Sequence, residues 1–241
     1  EWQSKLKEIS ENLGMVFFST PFDIEAVDFL ETLNVPLYKI ASLEIVDIPL
    51  IKYCASKMKP MIMSTGVAEI KDIELALKTC RQVGNNDITL LKCTSDYPAS
   101  ISNANLKTIP EMRKRFNVKV GVSDHSMENI VPIVATSLGA TVIEKHFILD
   151  RNLGGPDSAF SLEPDEFEKM VKEIRNVELT FGDISFDVSD KDKLRRRSLF
   201  ACKDIKKGEK ITNENIRSIR PGNGLHPKYL YEILGKRIKI D

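Results

Sequence analysis

The chain has no apolar stretch long enough to cross a bilayer. Runs such as Val16-Phe17-Phe18 fall far below the ~20 residues that a spanning helix needs. Cysteine is scarce. Cys54, Cys80, Cys93 and Cys202 stand far apart with no C-x-x-C pair, so neither a disulfide framework nor a zinc site is suggested. An excess of one charge is missing too. Lys and Arg number 35 and Asp and Glu 35, for a net charge of zero, which argues against a nucleic-acid or anionic-membrane surface spread over the chain. Residues 1–5 lack the basic-then-apolar layout of a secretory signal. The expectation is a soluble cytoplasmic protein with no nucleic-acid or membrane partner. A start methionine is also absent. Trp2, Leu6, Ile9 and Leu13 recur at helical spacing with no cap before them, so the chain reads as a piece of something longer.

What is present is ordinary globular material. In 241 residues, 42% are hydrophobic and 29% charged, too apolar for general disorder. The first two thirds repeat one pattern of short apolar strand, polar loop and amphipathic helix. Strands are expected at 15–19, 37–42, 60–64, 88–94, 119–123 and 141–147. Helices are expected at 24–33, 47–56, 70–83, 104–116, 127–138 and 164–181. This alternation means a parallel α/β fold. Six units at about 28 residues each scale to roughly 225 for eight, close to a (β/α)₈ barrel. A doubly wound sheet is the rival, but it concentrates its site at one switch point. Here polar residues close nearly every strand, so the expected fold is a TIM barrel lacking its first two βα units. Residues 1–182 form that partial barrel and 183–197 a polar linker. Residues 198–241 form a small second domain with strand-like pieces at 198–201, 204–205, 211 and 216–219, and the chain still alternates like a strand over 236–241.

Several residues at the strand ends carry chemistry. His125 and His146 end neighbouring strands, at heights from which they could share one divalent ion. The alternative is two buried histidines satisfied by hydrogen bonds. Lys39, Thr20, Ser42, Ser64 and Ser123 offer a cation and hydroxyls suited to a phosphate or small dianion, although Ser and Thr also close strands as helix caps. Glu44 is either a general acid or base or a first-turn glutamate facing a helix dipole. Gly154-Gly155-Pro156-Asp157 is either a ligand loop or an ordinary turn. Arg220 lies on the turn Arg220-Pro221-Gly222-Asn223-Gly224, where an arginine can reach an anion.

In this order, these residues resemble the sialic acid synthase family. The segments are Phe18-Ser19-Thr20-Pro21-Phe22, Tyr38-Lys39-Ile40-Ala41-Ser42, Ser64-Thr65-Gly66, Ser123-Asp124-His125 and Glu144-Lys145-His146-Phe147. Asp204-Ile205-Lys206-Lys207-Gly208-Glu209 and the Arg220 turn resemble the family's antifreeze-protein-like (SAF) domain. Residues 154–164 and Gly224-Leu225-His226-Pro227 are similar to the branch that makes pseudaminic acid, rather than the N-acetylneuraminate branch.

The resemblance implies condensation of phosphoenolpyruvate with an open-chain N-acetylated amino hexose, here 2,4-diacetamido-2,4,6-trideoxy-altrose, to a nonulosonic acid and phosphate. It implies that Thr20, Lys39, Ser42, Ser64 and Ser123 hold phosphoenolpyruvate, and that His125 and His146 hold Mn or Mg. Glu44 would transfer a proton, with Lys39 and His146 beside the reacting atoms. Ser95, Tyr97 and Asp157 match sugar-contacting positions. Arg220 would come from the partner of a domain-swapped homodimer. The alternatives are an N-acetylneuraminate or legionaminic acid synthase and a non-catalytic carbohydrate-binding protein. A two-histidine hydrolase, with Asp96 or Asp124 as a further ligand, ranks last.

Overall fold

The computed structural model describes residues 2–239, which divide into two compact units after Gly182. The first unit opens with α1 (Trp2–Asn12), whose apolar stripe of Trp2, Leu6 and Ile9 is exposed, as is Leu13 just past its end. Strands and helices then alternate: α2 (Ile24–Thr32), β1 (Tyr38–Ile40), α3 (Ile48–Ser56), β2 (Met61–Ser64), α4 (Ile70–Gln82) and β3 (Ile88–Cys93). They continue through α5 (Thr108–Phe116), β4 (Lys119–Asp124), α6 (Ile130–Ser137), β5 (Ile143–Lys145) and α7 (Pro164–Thr180). Helix starts follow local chemistry. The Asp23 carboxylate accepts from Ala26 N at 2.6 Å, Asp47 accepts from Leu50 N at 3.1 Å, and Glu163 and Glu166 form a reciprocal box at the start of α7.

The five strands pair in parallel in the order β1-β2-β3-β4-β5. Order along the chain equals order in the sheet, so the sheet has no switch point, unlike a doubly wound sheet. Side-chain alternation sorts the strands into two faces. Tyr38, Ile40, Met61, Met63, Ile88, Leu90, Val120 and Val122 pack under the helices as one core. The alternate positions, Lys39, Ser64, Cys93, Ser123 and Glu144, belong to the other face.

That other face is concave. Laid flat, the edge strands β1 and β5 would be four spacings apart, about 19 Å. Yet Lys39 Nζ on β1 lies 3.5 Å from Glu144 Oε2 on β5. Two side chains bridge such a gap only if the sheet curls, so the unit is a parallel half-barrel.

Some expected elements differ. The stretch 15–19 is not a strand. Its carbonyl at Ser19 accepts one long bond from Lys39 N, 3.5 Å, and a ladder needs repeated bonds. Helix α5 starts at Thr108 rather than 104, after Asn105 turns the chain with φ 45°. Helix α6 starts at Ile130 rather than 127, after a turn in which the Asp124 carboxylate holds Ser126 N and Oγ. Strand β5 stops at Lys145, and the loop beyond it returns to pair Leu162 N with His146 O at 2.9 Å.

The second unit holds α8 (Asp190–Leu194) inside the expected linker, then the antiparallel pair β6 (Ser198–Ala201) and β7 (Ile216–Ile219), and α9 (Leu230–Ile233). Residues 204–205 are not a strand. Ile211 lies next to a Lys210–Arg237 bridge, and Ile240 and Asp241 fall outside the described residues. Among the described residues of this unit, only Ser198 and Leu199 are buried. No helix among the described residues is long and apolar enough to cross a membrane.

Candidate active site

The site grows out of the concave face at the carboxyl ends of the strands. Lys39 is 6% exposed. Its ammonium donates to Ser64 Oγ at 2.8 Å and to the Ile40 carbonyl at 3.1 Å. Glu144 bridges it to the opposite edge, with Oε1 accepting from Ser123 Oγ at 2.6 Å. A continuous polar chain, Ser64–Lys39–Glu144–Ser123, thus crosses the half-barrel.

Beside it, Ser42 Oγ accepts from Gly66 N at 3.1 Å. A Cβ on Gly66 would stand 2.1 Å from Ser95 Oγ, 3.0 Å from Ser42 Oγ and 3.1 Å from Cys93 Sγ. Gly66 is therefore the small residue around which Ser42 and Ser95 converge. Thr20 follows Ser19, whose carbonyl meets Lys39 N, and so sits beside β1.

The histidines come next along the same face. The ladder pairs Ser123 with Glu144 and Asp124 with Lys145, so His125 falls level with His146. Their ring centroids are 5.2 Å apart. His125 is buried, and its Nδ1 lies 2.7 Å from the Thr94 carbonyl. A carbonyl only accepts, so Nδ1 carries a hydrogen, and in the neutral imidazole Nε2 then presents its lone pair. His146 Nδ1 lies 3.6 Å from Asp157 Oδ2. Burial holds the His146 pKa below the ordinary value, helped by His125 and opposed by Asp157 and Glu144.

Tyr97 packs on His125 at 4.2 Å between centroids and on Phe160 at 5.4 Å. Burial raises its phenol pKa, with Cys93, Asp157 and Glu144 adding to the rise. Glu44 follows Ser42 in a 3₁₀ turn, Leu43–Val46, and its Oε2 is buried with no hydrogen-bond partner.

One half-barrel mouth thus gathers Lys39, Ser42, Ser64, Ser95, Tyr97, Ser123, His125, His146 and Asp157. Arg220 belongs to the second unit, exposed just past β7. Two further side chains that the strand-end pattern does not single out line the mouth. Glu144 lies within the Glu144-Lys145-His146-Phe147 segment, and strand alternation puts it on the face of Ser123 and His146. Phe160, 5.0 Å from the His146 ring, had no signal, because the loop that carries it folds back by tertiary contact.

No group of three or more His, Cys, Asp or Glu able to hold a metal occurs among the described residues. The donor set on offer is two imidazoles, one with its free Nε2 fixed by Thr94. Such a set fits a divalent ion whose remaining positions go to water and substrate.

These features define a class: an α/β half-barrel protein with a lysine–hydroxyl cluster and a histidine pair at the carboxyl ends of its strands. The chain belongs to the NeuB family, the sialic acid synthase family that its motifs resemble, with the family model matching residues 1–185 and an SAF domain matching 196–241. It is 46% identical to pseudaminic acid synthase of Helicobacter pylori, covering 98% of this chain and 71% of that protein. It is 38% identical to N,N'-diacetyllegionaminic acid synthase of Legionella pneumophila, covering 98% and 68%. Among solved structures it matches the spore coat polysaccharide biosynthesis protein spsE of Bacillus subtilis with a TM-score of 0.73 and 35% identity, covering 100% and 76%.

Proposed function

We propose that the protein condenses phosphoenolpyruvate with 2,4-diacetamido-2,4,6-trideoxy-altrose, in its open-chain form, to give pseudaminic acid and phosphate. The observation that carries this reading is the chain Ser64–Lys39–Glu144–Ser123 facing the His125–His146 pair across one mouth. One end suits a dianion and the other a carbonyl. The 46% identity to a pseudaminic acid synthase supports the choice of sugar.

Lys39, Ser42, Ser64, Ser123 and Thr20 bind phosphoenolpyruvate and orient its enol carbon. Ser95, Tyr97 and Asp157 bind the sugar. Carbon C3 of phosphoenolpyruvate attacks the aldehyde carbon, whose oxygen takes up a proton to become a hydroxyl. Water then adds at the cationic C2, and the tetrahedral intermediate collapses by C–O cleavage, releasing phosphate. Lys39 faces the phosphate charge that grows on release. The unpartnered Glu44 Oε2 is free to move a proton. His125 and His146 would hold a divalent ion, Mn or Mg, which when bound supplies Lewis-acid polarisation.

The half-barrel is proposed as part of a (β/α)₈ barrel in which the 15–19 stretch supplies a sixth strand and two further βα units the rest, residues 1–182 being catalytic. Residues 198–241 would cover the mouth of a partner subunit and supply Arg220 to it. The small buried core of that unit supports such a cover.

The test is phosphate release with phosphoenolpyruvate, Mn²⁺ and each of three sugars: the altrose sugar, its mannose-configured isomer and N-acetylmannosamine. Selective turnover of the altrose sugar is expected. Preference for the mannose-configured isomer would make this a legionaminic acid synthase, and preference for N-acetylmannosamine an N-acetylneuraminate synthase. No release from folded, metal-loaded protein would favour a carbohydrate-binding protein.

A further inference from the structure

Behind the histidine pair lies a buried ion pair with no part in the chemistry described so far. Asp124 and Lys145 face each other across the β4–β5 ladder, one residue before His125 and His146. Alternation turns them to the helix-covered side while their neighbours face the mouth. Their side chains are 4% and 1% exposed, and Lys145 Nζ lies 2.8 Å from Asp124 Oδ2.

The two charges are also closed in by hydrogen bonds. Lys145 donates a short bond to the Ser126 carbonyl. Asp124 accepts from Ser126 N at 2.9 Å and from Ser126 Oγ at 3.0 Å. The turn 124–126 is therefore wrapped around one carboxylate with His125 at its centre, and the lysine that completes it is bonded directly to His146 along the chain. Replacing such a pair with apolar residues is often neutral or stabilising, so stability alone is weak grounds for its presence. What it supplies is position. It fixes the rim of β4 against the rim of β5, where a slip would separate the imidazoles.

We infer that Asp124 and Lys145 are positioning residues that set the spacing and orientation of the His125–His146 pair, and through it the affinity for a divalent ion. The inference rests on the proposed metal role of those histidines, so the test separates the two ideas.

The variant is D124N/K145M, which removes both charges together and leaves no lone buried ion. Lys145→Met alone serves as a comparison, since it strands Asp124. Three measurements are made on the full chain: urea unfolding, Mn²⁺ affinity by calorimetry, and a crystal structure without metal. The double variant is expected to unfold cooperatively near the wild-type midpoint. Its Mn²⁺ affinity should fall by about 10–100-fold, the usual loss when a supporting partner is removed. The turnover number should fall while KM for phosphoenolpyruvate stays within about twofold. A folded double variant with wild-type Mn²⁺ affinity would overturn the inference. If the wild-type protein itself binds no Mn²⁺, the metal reading fails and the crystal structure decides. An imidazole separation shifted by more than about 1 Å in the variant supports the positioning role, and an unchanged one overturns it. A variant that cannot fold would also overturn it, by assigning the pair to stability.

Discussion

Lys39 is a buried cation whose partners are two neutral oxygens and a carboxylate from the far edge of the sheet. In the proposed reaction this ammonium meets the charged oxygens of phosphoenolpyruvate. Lys39→Met should weaken phosphoenolpyruvate binding by at least tenfold, because a hydrogen bond to a charged group contributes about 1.5–3 kcal/mol. Calorimetry with phosphoenolpyruvate reads this directly, and unchanged binding would remove Lys39 from the anion site. Gly66 makes a steric argument at the same scale. Its missing Cβ is what lets Ser42 and Ser95 converge, since an added methyl would reach Ser95 Oγ at 2.1 Å. Gly66→Ala should leave unfolding within about 1 kcal/mol of wild type, because the clash falls on a rotatable hydroxyl, while sugar turnover drops. Full activity in that variant would mean that Ser95 does not need its present rotamer.

At the scale of elements, the helices and the loops behave differently. Cys54 on α3 and Cys80 on α4 are buried, and desolvation pushes their thiol pKa values up to about 12 and about 11. Cys202 is exposed. Alkylation at pH 8 should therefore label Cys202 quickly and spare Cys54 and Cys80 until the chain unfolds. Mass spectrometry of the labelled peptides checks the order. The loop after β5 is pinned by Arg151, which meets Glu166 in a two-pronged contact and Glu163 at 3.7 Å. The Arg151 hydrogen bonds, with the Glu163 amide, hold the Glu166 pKa at about 2, below its usual 4.5. A lowered carboxylate pKa stabilises the folded state above the unfolded value of 4.5, and the contribution fades as pH falls towards 2. Glu166→Gln should therefore speed chymotrypsin cleavage within 147–163 at pH 7. Equal cleavage rates would show that the pin does not hold the loop. The alternation of strand and helix was legible where a strand is a mostly apolar run, as in β2 and β3. The starts of α5 and α6 were not, since they depend on the backbone at Asn105 and on the Asp124 carboxylate.

At the scale of the whole molecule, strand order and family were legible, and cross-sheet partnerships were not. The histidine pair could be read because parallel neighbours bring equal rim heights together. The Lys39–Glu144 contact joins residues far apart in the chain on opposite edges, and only the curl of the sheet creates it. If Arg220 serves a partner's mouth, Lys39→Met and Arg220→Ala proteins should each be inactive alone and regain turnover when mixed. Mixtures as inactive as their parents would refute the swapped arrangement. The proposed condensation cleaves the C–O bond of phosphoenolpyruvate. Its most direct test uses phosphoenolpyruvate carrying ¹⁸O in the bridge between C2 and phosphorus, with the altrose sugar and Mn²⁺. The label is expected to leave with inorganic phosphate. Label retained in the organic product, or no phosphate released from folded protein, would contradict it.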